Sequence, residues 1–284
     1  KKDDEIIKHL VIAGRKAELN DEVSAFLDSN PVVHDHDTIF QIIFFYHKIR
    51  KSSMALEYIY KYNFKPELIF EAGIIASVYV ATYDLNMALK YVDEYDSFEP
   101  KNSSFFVTKG IVKYLTHDYE TAYEILKKVY EANYSPALFS KSACWLARIE
   151  LLKGNIEEAK KYFNDLEDSP LKIILNAEIE ASQGNYEVAI NILETNNISV
   201  NGTLELMIFY ANILIRMKEY SKAKAVIEDF RQSHPITPEQ IQIEIERYMA
   251  IIKKNLGESV EKSYSYFIKQ IAKYSNIRSL DHIM

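Results

Sequence analysis

The sequence predicts an all-α protein, a solenoid of seven or eight stacked helix–turn–helix repeats, and two observations lead there. Glycine and proline are scarce, seven of each in 284 residues. Strand-rich and α/β folds need more turn residues than that, whereas long helices do not. A short pattern also returns along the chain at nearly even intervals. Hydrophobic residues make up 48% of the chain, enough for a core. The 21 tyrosines suit curved, half-exposed helical surfaces, because the ring can be buried while the hydroxyl stays wet.

The recurring unit is a turn or small residue, an aromatic or aliphatic residue, and then alanine. It reads Tyr83-Asp84-Leu85-Asn86-Met87-Ala88, then His117-Asp118-Tyr119-Glu120-Thr121-Ala122, then Gly154-Asn155-Ile156-Glu157-Glu158-Ala159. Gly184-Asn185-Tyr186-Glu187-Val188-Ala189 and Lys218-Glu219-Tyr220-Ser221-Lys222-Ala223 follow, and a weaker copy, Lys51-Ser52-Ser53-Met54-Ala55, precedes them all. The alanines at 55, 88, 122, 159, 189 and 223 are spaced by 33, 34, 37, 30 and 34. Twelve residues before them stand Ala76, Gly110, Ala147, Ala177 and Ala211, small enough for two helices to approach closely. Four residues after them stand Ile59, Val92, Leu126, Phe163, Leu193 and Ile227. Within one copy, Tyr119, Ala122, Leu126 and Val129 fall on a single helical face. Pro66, Pro100, Pro136, Pro170 and Pro235 fall at or near the end of each second helix and are expected to close the units. One hairpin cannot bury its apolar face alone, and stacked neighbours can.

Six copies near a 34-residue period resemble the tetratricopeptide repeat. The resemblance covers about residues 36 to 235 and implies a right-handed α-solenoid of six such repeats. There are departures. Residues 37–66 lack the usual glycine or polar turn. Asn196 and Asn201 stand where an apolar residue and a proline are expected, so Asn196–Thr203 reads as a loosened joint. Residues 1–35 are expected to form a capping hairpin, with Asn20 or Asp21 capping its second helix. Residues 236–284 are expected to hold capping helices and a tail. Pro235, Thr237 and Pro238 open a helix with Glu239 in its first turn. That helix runs to about Leu256 and breaks at Gly257; a last helix reaches about Tyr274, and Ser275–Met284 reads as a tail.

Charge and cysteine content bound the function. The net charge of −7 argues against nucleic acid and against an anionic membrane surface as main partners. The lone Cys144 rules out an intrachain disulfide and is most natural in a reducing compartment. The longest apolar run, Ala72 to Tyr83, is too short to span a membrane. The expectation is a cytoplasmic protein. The chain begins Lys1–Lys2 without methionine, so an exported or anchored parent with upstream residues removed is a second expectation. Four N-x-S/T triplets, at Asn102, Asn133, Asn197 and Asn201, are read as a by-product of an Asn- and Ser-rich composition.

No residue cluster points to catalysis, a cofactor or a metal. His34-Asp35-His36 lacks a second ligand group nearby and reads as a turn, with Asp35 or Asp37 capping the next helix. Cys144 has only Arg148 one turn away and reads as a semi-buried small residue. The seven glycines never cluster, which removes most phosphate-cradling loops. Glu157–Glu158 beside Lys160–Lys161 reads as a solvated helix face.

What remains is a binding surface. The resemblance implies that the first helix of each hairpin lines a concave groove where a protein or peptide lies. Carried over position by position, the groove residues are Phe40, Phe44 and His47, then Ser77, then Val107, Ile111 and Tyr114. Further on come Lys141, Arg148, Glu178, Ile208, Asn212 and Arg216. The first half is apolar and aromatic, suited to a helix or extended peptide with hydrophobic anchors. In the second half Lys141, Arg148 and Arg216 are placed to take a carboxylate. Only Asn212 matches the asparagines with which one branch of the family clamps chaperone tails, so that ligand is not expected. The reading is a non-enzymatic, bacterial scaffold or adaptor, with a homo-oligomer compatible. Its alternatives are a peptide-sensing domain of a bacterial signalling protein and an accessory segment of a larger enzyme, polysaccharide or secretion assembly.

Overall fold

The computed structural model of the chain describes residues 2–29, 31–97, 102–200, 202–233, 239–261 and 265, and every regular element among them is helical. The expected helix start at Pro235–Pro238, the last helix to Tyr274 and the tail Ser275–Met284 lie outside those residues. The chain divides into two compact units, residues 1–118 and 119–284.

The first unit holds α1 (Lys2–Lys16), α2 (Asn20–Asp28), α3 (His36–Lys48), α4 (Ser52–Lys61), α5 (Ile69–Ala81), α6 (Leu85–Glu94) and α7 (Ser103–Leu115). α1, α3, α5 and α7 are first helices of successive hairpins, and each packs on the next. The second unit holds α8 (Tyr119–Ala132), α9 (Pro136–Leu152), α10 (Ile156–Asn164), α11 (Pro170–Ser182), α12 (Tyr186–Thr195), α13 (Leu204–Arg216), α14 (Tyr220–Ser233) and α15 (Glu239–Leu256). There too each helix packs on its sequence neighbours, and α9 packs on α11.

The alanines that carry the repeat are the innermost points of the hairpins. Ala55, Ala88, Ala122, Ala159, Ala189 and Ala223 are all 0% exposed. Ala76, Ala147, Ala177 and Ala211 are likewise fully buried. Ile59, Val92, Leu126, Leu193 and Ile227 are buried one turn beyond the alanines, while Phe163 is half-buried. Burying a side chain such as Leu126 contributes roughly 1.5–3 kcal/mol each time.

One turn geometry joins the two helices of every hairpin. The residue five before each alanine has positive φ: Arg50 62°, Tyr83 61°, His117 66°, Gly154 78°, Gly184 85° and Lys218 62°. The next residue's N–H donates back to the first helix, as in Lys51 to Tyr46 O at 2.9 Å and Asn155 to Glu150 O at 2.8 Å. This paired closure satisfies the carbonyls that a helix end leaves free. Arg50 shows that the hairpin of 37–66 turns like the others without a glycine. Glu18 (φ 59°) and Gly257 (φ 72°) repeat the geometry after α1 and α15.

The α1–α2 hairpin is thus a further copy of the repeat that the alanine pattern passes over. Val23 holds the alanine's place and is 4% exposed, with Leu27 buried one turn on. The close approach survives because the small residue has moved to the other helix: a Cβ on Gly14 would collide with Val23. Neither Asn20 nor Asp21 caps α2. Leu19 is the N-cap and makes no side-chain bond, because the Glu18 turn delivers the chain into the helix before Asn20. Asp21 and Glu22 instead sit in the first turn, where they favour the helix dipole. This hairpin exposes Ile6 (59%), Leu10 (40%), Leu19 (47%) and Phe26 (39%).

Pro136 and Pro170 open helices rather than closing units, Pro66 lies in the connection before α5, and Pro100 and Pro235 lie outside the described residues. Pro136 and Pro170 are the first residues of α9 and α11, where a missing N–H costs nothing, and Ser135 and Ser169 cap the same helices. Residues 196–200, 202 and 203 form the expected irregular connection, which ends in a Thr203 cap on Leu206.

Candidate functional site

In the first unit the first-helix face is an aromatic cluster. Phe40 and Phe44, one turn apart on α3, stack at 6.0 Å, and both meet Phe70 of α5 edge-on at 5.9 Å. Phe64, before α5, stacks on His36 at 4.5 Å and on Phe40 at 6.2 Å. Phe40 is 4% exposed and belongs to the core, whereas Phe44 and Phe70 are half-buried. His47 is half-buried, its Nδ1 3.4 Å from Ser52 Oγ. Ser77 Oγ bonds to Gly73 O at 2.9 Å and lies 3.2 Å from Thr108 Oγ1, linking α5 to α7. On α7, Val107 and Tyr114 are buried and Ile111 is half-buried.

The start of α3, beside this cluster, carries His34-Asp35-His36, the motif read as a turn, with His36 stacked on Phe64. Asp35 accepts from Thr38 N at 2.9 Å and Thr38 Oγ1 at 2.7 Å, capping α3 and holding its own carboxyl below the usual range. His36 Nε2 lies 3.2 Å from Glu71, a carboxylate only 4% exposed that also accepts from Glu67 N at 2.7 Å and Leu68 N at 3.2 Å. Among the described residues no group of His, Cys, Asp and Glu is arranged to hold a metal.

In the second unit the residues read as a carboxylate acceptor are engaged within the chain. Arg148 Nε and Nη2 meet Glu178 Oε2 and Oε1 at 2.8 and 2.7 Å, a two-pronged pair between α9 and α11. The same guanidinium lies 4.7 Å over Trp145. Arg216 lies 6.0 Å over Tyr186 and donates to its hydroxyl at 3.4 Å. Asn212 donates to Tyr248 Oη at 2.9 Å, Ile208 is buried, and Lys141 is exposed. Of Lys141, Arg148 and Arg216, the residues expected to receive a ligand's carboxylate, Arg148 holds Glu178 within the chain. Cys144 is 1% exposed, and burial pushes its thiol up, away from nucleophilic use.

The residue that the sequence reading passed over is Arg15, the penultimate residue of α1. Its guanidinium lies 4.5 Å over the Phe44 ring, and Lys48 Nζ lies 5.3 Å from the same ring. The repeat register began at residue 36, so α1 was not placed against α3. None of the helices among the described residues is long and apolar enough to cross a membrane.

No family model matches the chain, and no curated protein matches its sequence. Solved structures do. PilW, a widely conserved type IV pilus biogenesis factor, aligns with a TM-score of 0.53 at 18% identity, over 70% of this chain and 96% of PilW. A chain of the APC/C hetero-tetramer Cut9–Hcn1 aligns at 0.50 and 12% identity, over 89% of this chain but 49% of that one, so this chain spans about half its length. A tetratricopeptide repeat protein from Parabacteroides merdae aligns at 0.45 and 13% identity, over 82% of this chain and 98% of that one. The fold shared with PilW and with the Cut9–Hcn1 chain is all-α and built from stacked helical hairpins, as the resemblance to the tetratricopeptide repeat implies.

Proposed function

We propose that this protein is a non-enzymatic scaffold that holds a segment of another protein on the first-helix face of its first unit. One observation carries the reading. Half-buried apolar side chains, Phe44, Phe70 and Ile111, recur at that face on successive first helices, backed by a buried layer of Phe40, Val107 and Tyr114. A preorganised apolar surface on rigid helices is what captures a peptide with few anchors and little ordering cost. The second unit supports the same assignment by contrast, since Arg148 of α9 holds Glu178 of α11 and Asn212 of α13 bonds to Tyr248 of α15. The hetero-tetramer of Cut9 with Hcn1 is one case of this fold working in a protein complex.

The test is affinity capture with wild-type bait beside Phe44→Gln/Phe70→Gln. Tyr114→Glu is unsuitable, because Tyr114 is 6% exposed and the substitution would disrupt the core. A partner enriched on wild type and lost on the double variant, at unchanged helical content, supports the assignment. Equal capture by both baits moves binding to another face.

A further inference from the structure

We infer that the corner where α1 and α3 end is a seat for a carboxylate, so that the segment held on this face is an acidic peptide with an adjoining apolar side chain. The inference rests on the binding face proposed above and adds the chemistry of what binds there.

Arg15 is the observation that needs explaining. Its Nη1 is buried and has no hydrogen-bond partner. Burial alone accounts for the lowering of its pKa, with no carboxylate acting against it. A guanidinium N–H withdrawn from water without an acceptor is costly, and charge makes it more so. Basic residues at the last turn of a helix ordinarily answer the helix dipole, as Lys16 does on the surface. That explains a solvated lysine and not a buried, unsatisfied nitrogen.

The surroundings sharpen the point. The chain carries 41 acidic residues against 34 lysines and arginines. In the same unit Lys8 pairs with Asp37, Lys109 with Asp96 and Lys113 with Asp93. Among the described residues Arg15 and Lys48 have no such pair, yet both lie against one phenyl ring. Two cations thus approach the Phe44 ring, which meets half-buried Phe70 edge-on. A carboxylate entering beside Phe44 would accept from the Arg15 fork, with Lys48 as a second charge. The neighbouring Phe44–Phe70 edge would cover an apolar side chain on the same ligand. A polyanion is a poorer fit, because two cations stand against this ring and a long run of phosphates is held by many.

The test is fluorescence anisotropy with three labelled short peptides that share one leucine and phenylalanine pattern. They carry glutamate, glutamine or lysine at the remaining positions. An RNA oligonucleotide and phosphatidylglycerol vesicles complete the probe set. The glutamate peptide should bind about tenfold or more tightly than the glutamine peptide, and added salt should narrow the gap. Arg15→Met and Lys48→Met should each erase most of that preference, and Arg15→Lys, which keeps the charge but not the fork, should fall between. Arg15→Met should also raise the melting temperature of the free protein, because it deletes an unsatisfied buried donor; a merely structural arginine would lower it. Equal binding of the glutamate and glutamine peptides, unchanged by Arg15→Met, overturns the carboxylate seat and leaves the binding face standing. The seat is also overturned if the RNA or the vesicles bind through Arg15 while the glutamate peptide does not. If no peptide binds and affinity capture finds no partner sensitive to Phe44, both readings fall together.

Discussion

Arg50→Gly should stabilise this protein, and Gly154→Ala should destabilise it, although both positions do the same job. At Arg50 φ is 62°, a region that costs a residue with a Cβ roughly 1–2 kcal/mol. Glycine removes that cost but frees the unfolded chain, which takes back roughly 0.5–1 kcal/mol. The net gain is about 0.5–1 kcal/mol. Arg50 is exposed and forms no ion pair among the described residues, so little else changes. Lys218→Gly should behave alike, since Lys218 has φ 62° and is also exposed. At Gly154 the sum runs backwards, a loss of about 0.5–1 kcal/mol by the same terms. A Cβ there would meet nothing within 4 Å, so the loss reports backbone conformation and not crowding. Gly14→Ala is the converse control. Its new methyl would strike Val23, and the overpacking should cost about 1–3 kcal/mol. Urea unfolding followed by far-ultraviolet circular dichroism reads all four, provided the slope with denaturant stays constant. The reasoning is refuted if Arg50→Gly and Lys218→Gly lower stability, or if Gly154→Ala raises it.

Other outcomes follow from single contacts. Asp35→Ala should cost about 1 kcal/mol near neutral pH by removing the α3 cap. Because the folded carboxyl is held below its usual range, that stabilisation is present above the ordinary carboxylate value and lost as pH falls through the lowered one. The gap to wild type should therefore close in acid, and Asp35→Asn should show no such pH dependence. Burial pushes Tyr58 up to about 12, so tyrosinate absorbance should show a class of late-titrating rings. Stability from that class is full below the usual tyrosine value and is lost as pH rises through about 12. Cys144 should resist a thiol reagent in the native protein and react at once in denaturant. A double-mutant cycle on Arg148 and Glu178 should return a coupling of about 1–3 kcal/mol, and a value near zero would show that the pair is not formed in solution.

The hairpins were legible because their rule is written in residue size. A helix can come close only where the facing side chain is small, so alanine at 55, 88, 122, 159, 189 and 223 announces the packing directly. The α1–α2 hairpin obeyed the same physics but satisfied it from the other helix, with Gly14 facing Val23, and a search for alanine passes over it. The turns were legible in place and not in chemistry. Four of the six take positive φ with arginine, tyrosine, histidine or lysine, because the closing backbone bonds over-determine the turn. The binding face was read at the level of helix register. Register says which side a residue is on and not whether a neighbour has already engaged it. That is why Arg148 looked available and holds Glu178, and why Arg15, outside the register, was passed over.

Several side-chain bonds between hairpins span about one repeat. Tyr95 reaches Pro66 O across 29 positions, Arg148 reaches Glu178 across 30, Asn212 reaches Tyr248 across 36, and Tyr123 reaches Tyr162 across 39. Each joins a residue to the hairpin beside it, about one repeat away. A chain tied in that way has low contact order. No large loop must be closed before a contact rewards it, so the entropy of closure is met in equal small instalments along its length. Assembly can then start at any hairpin and zip outward, and ends can fray one hairpin at a time while the middle stays closed.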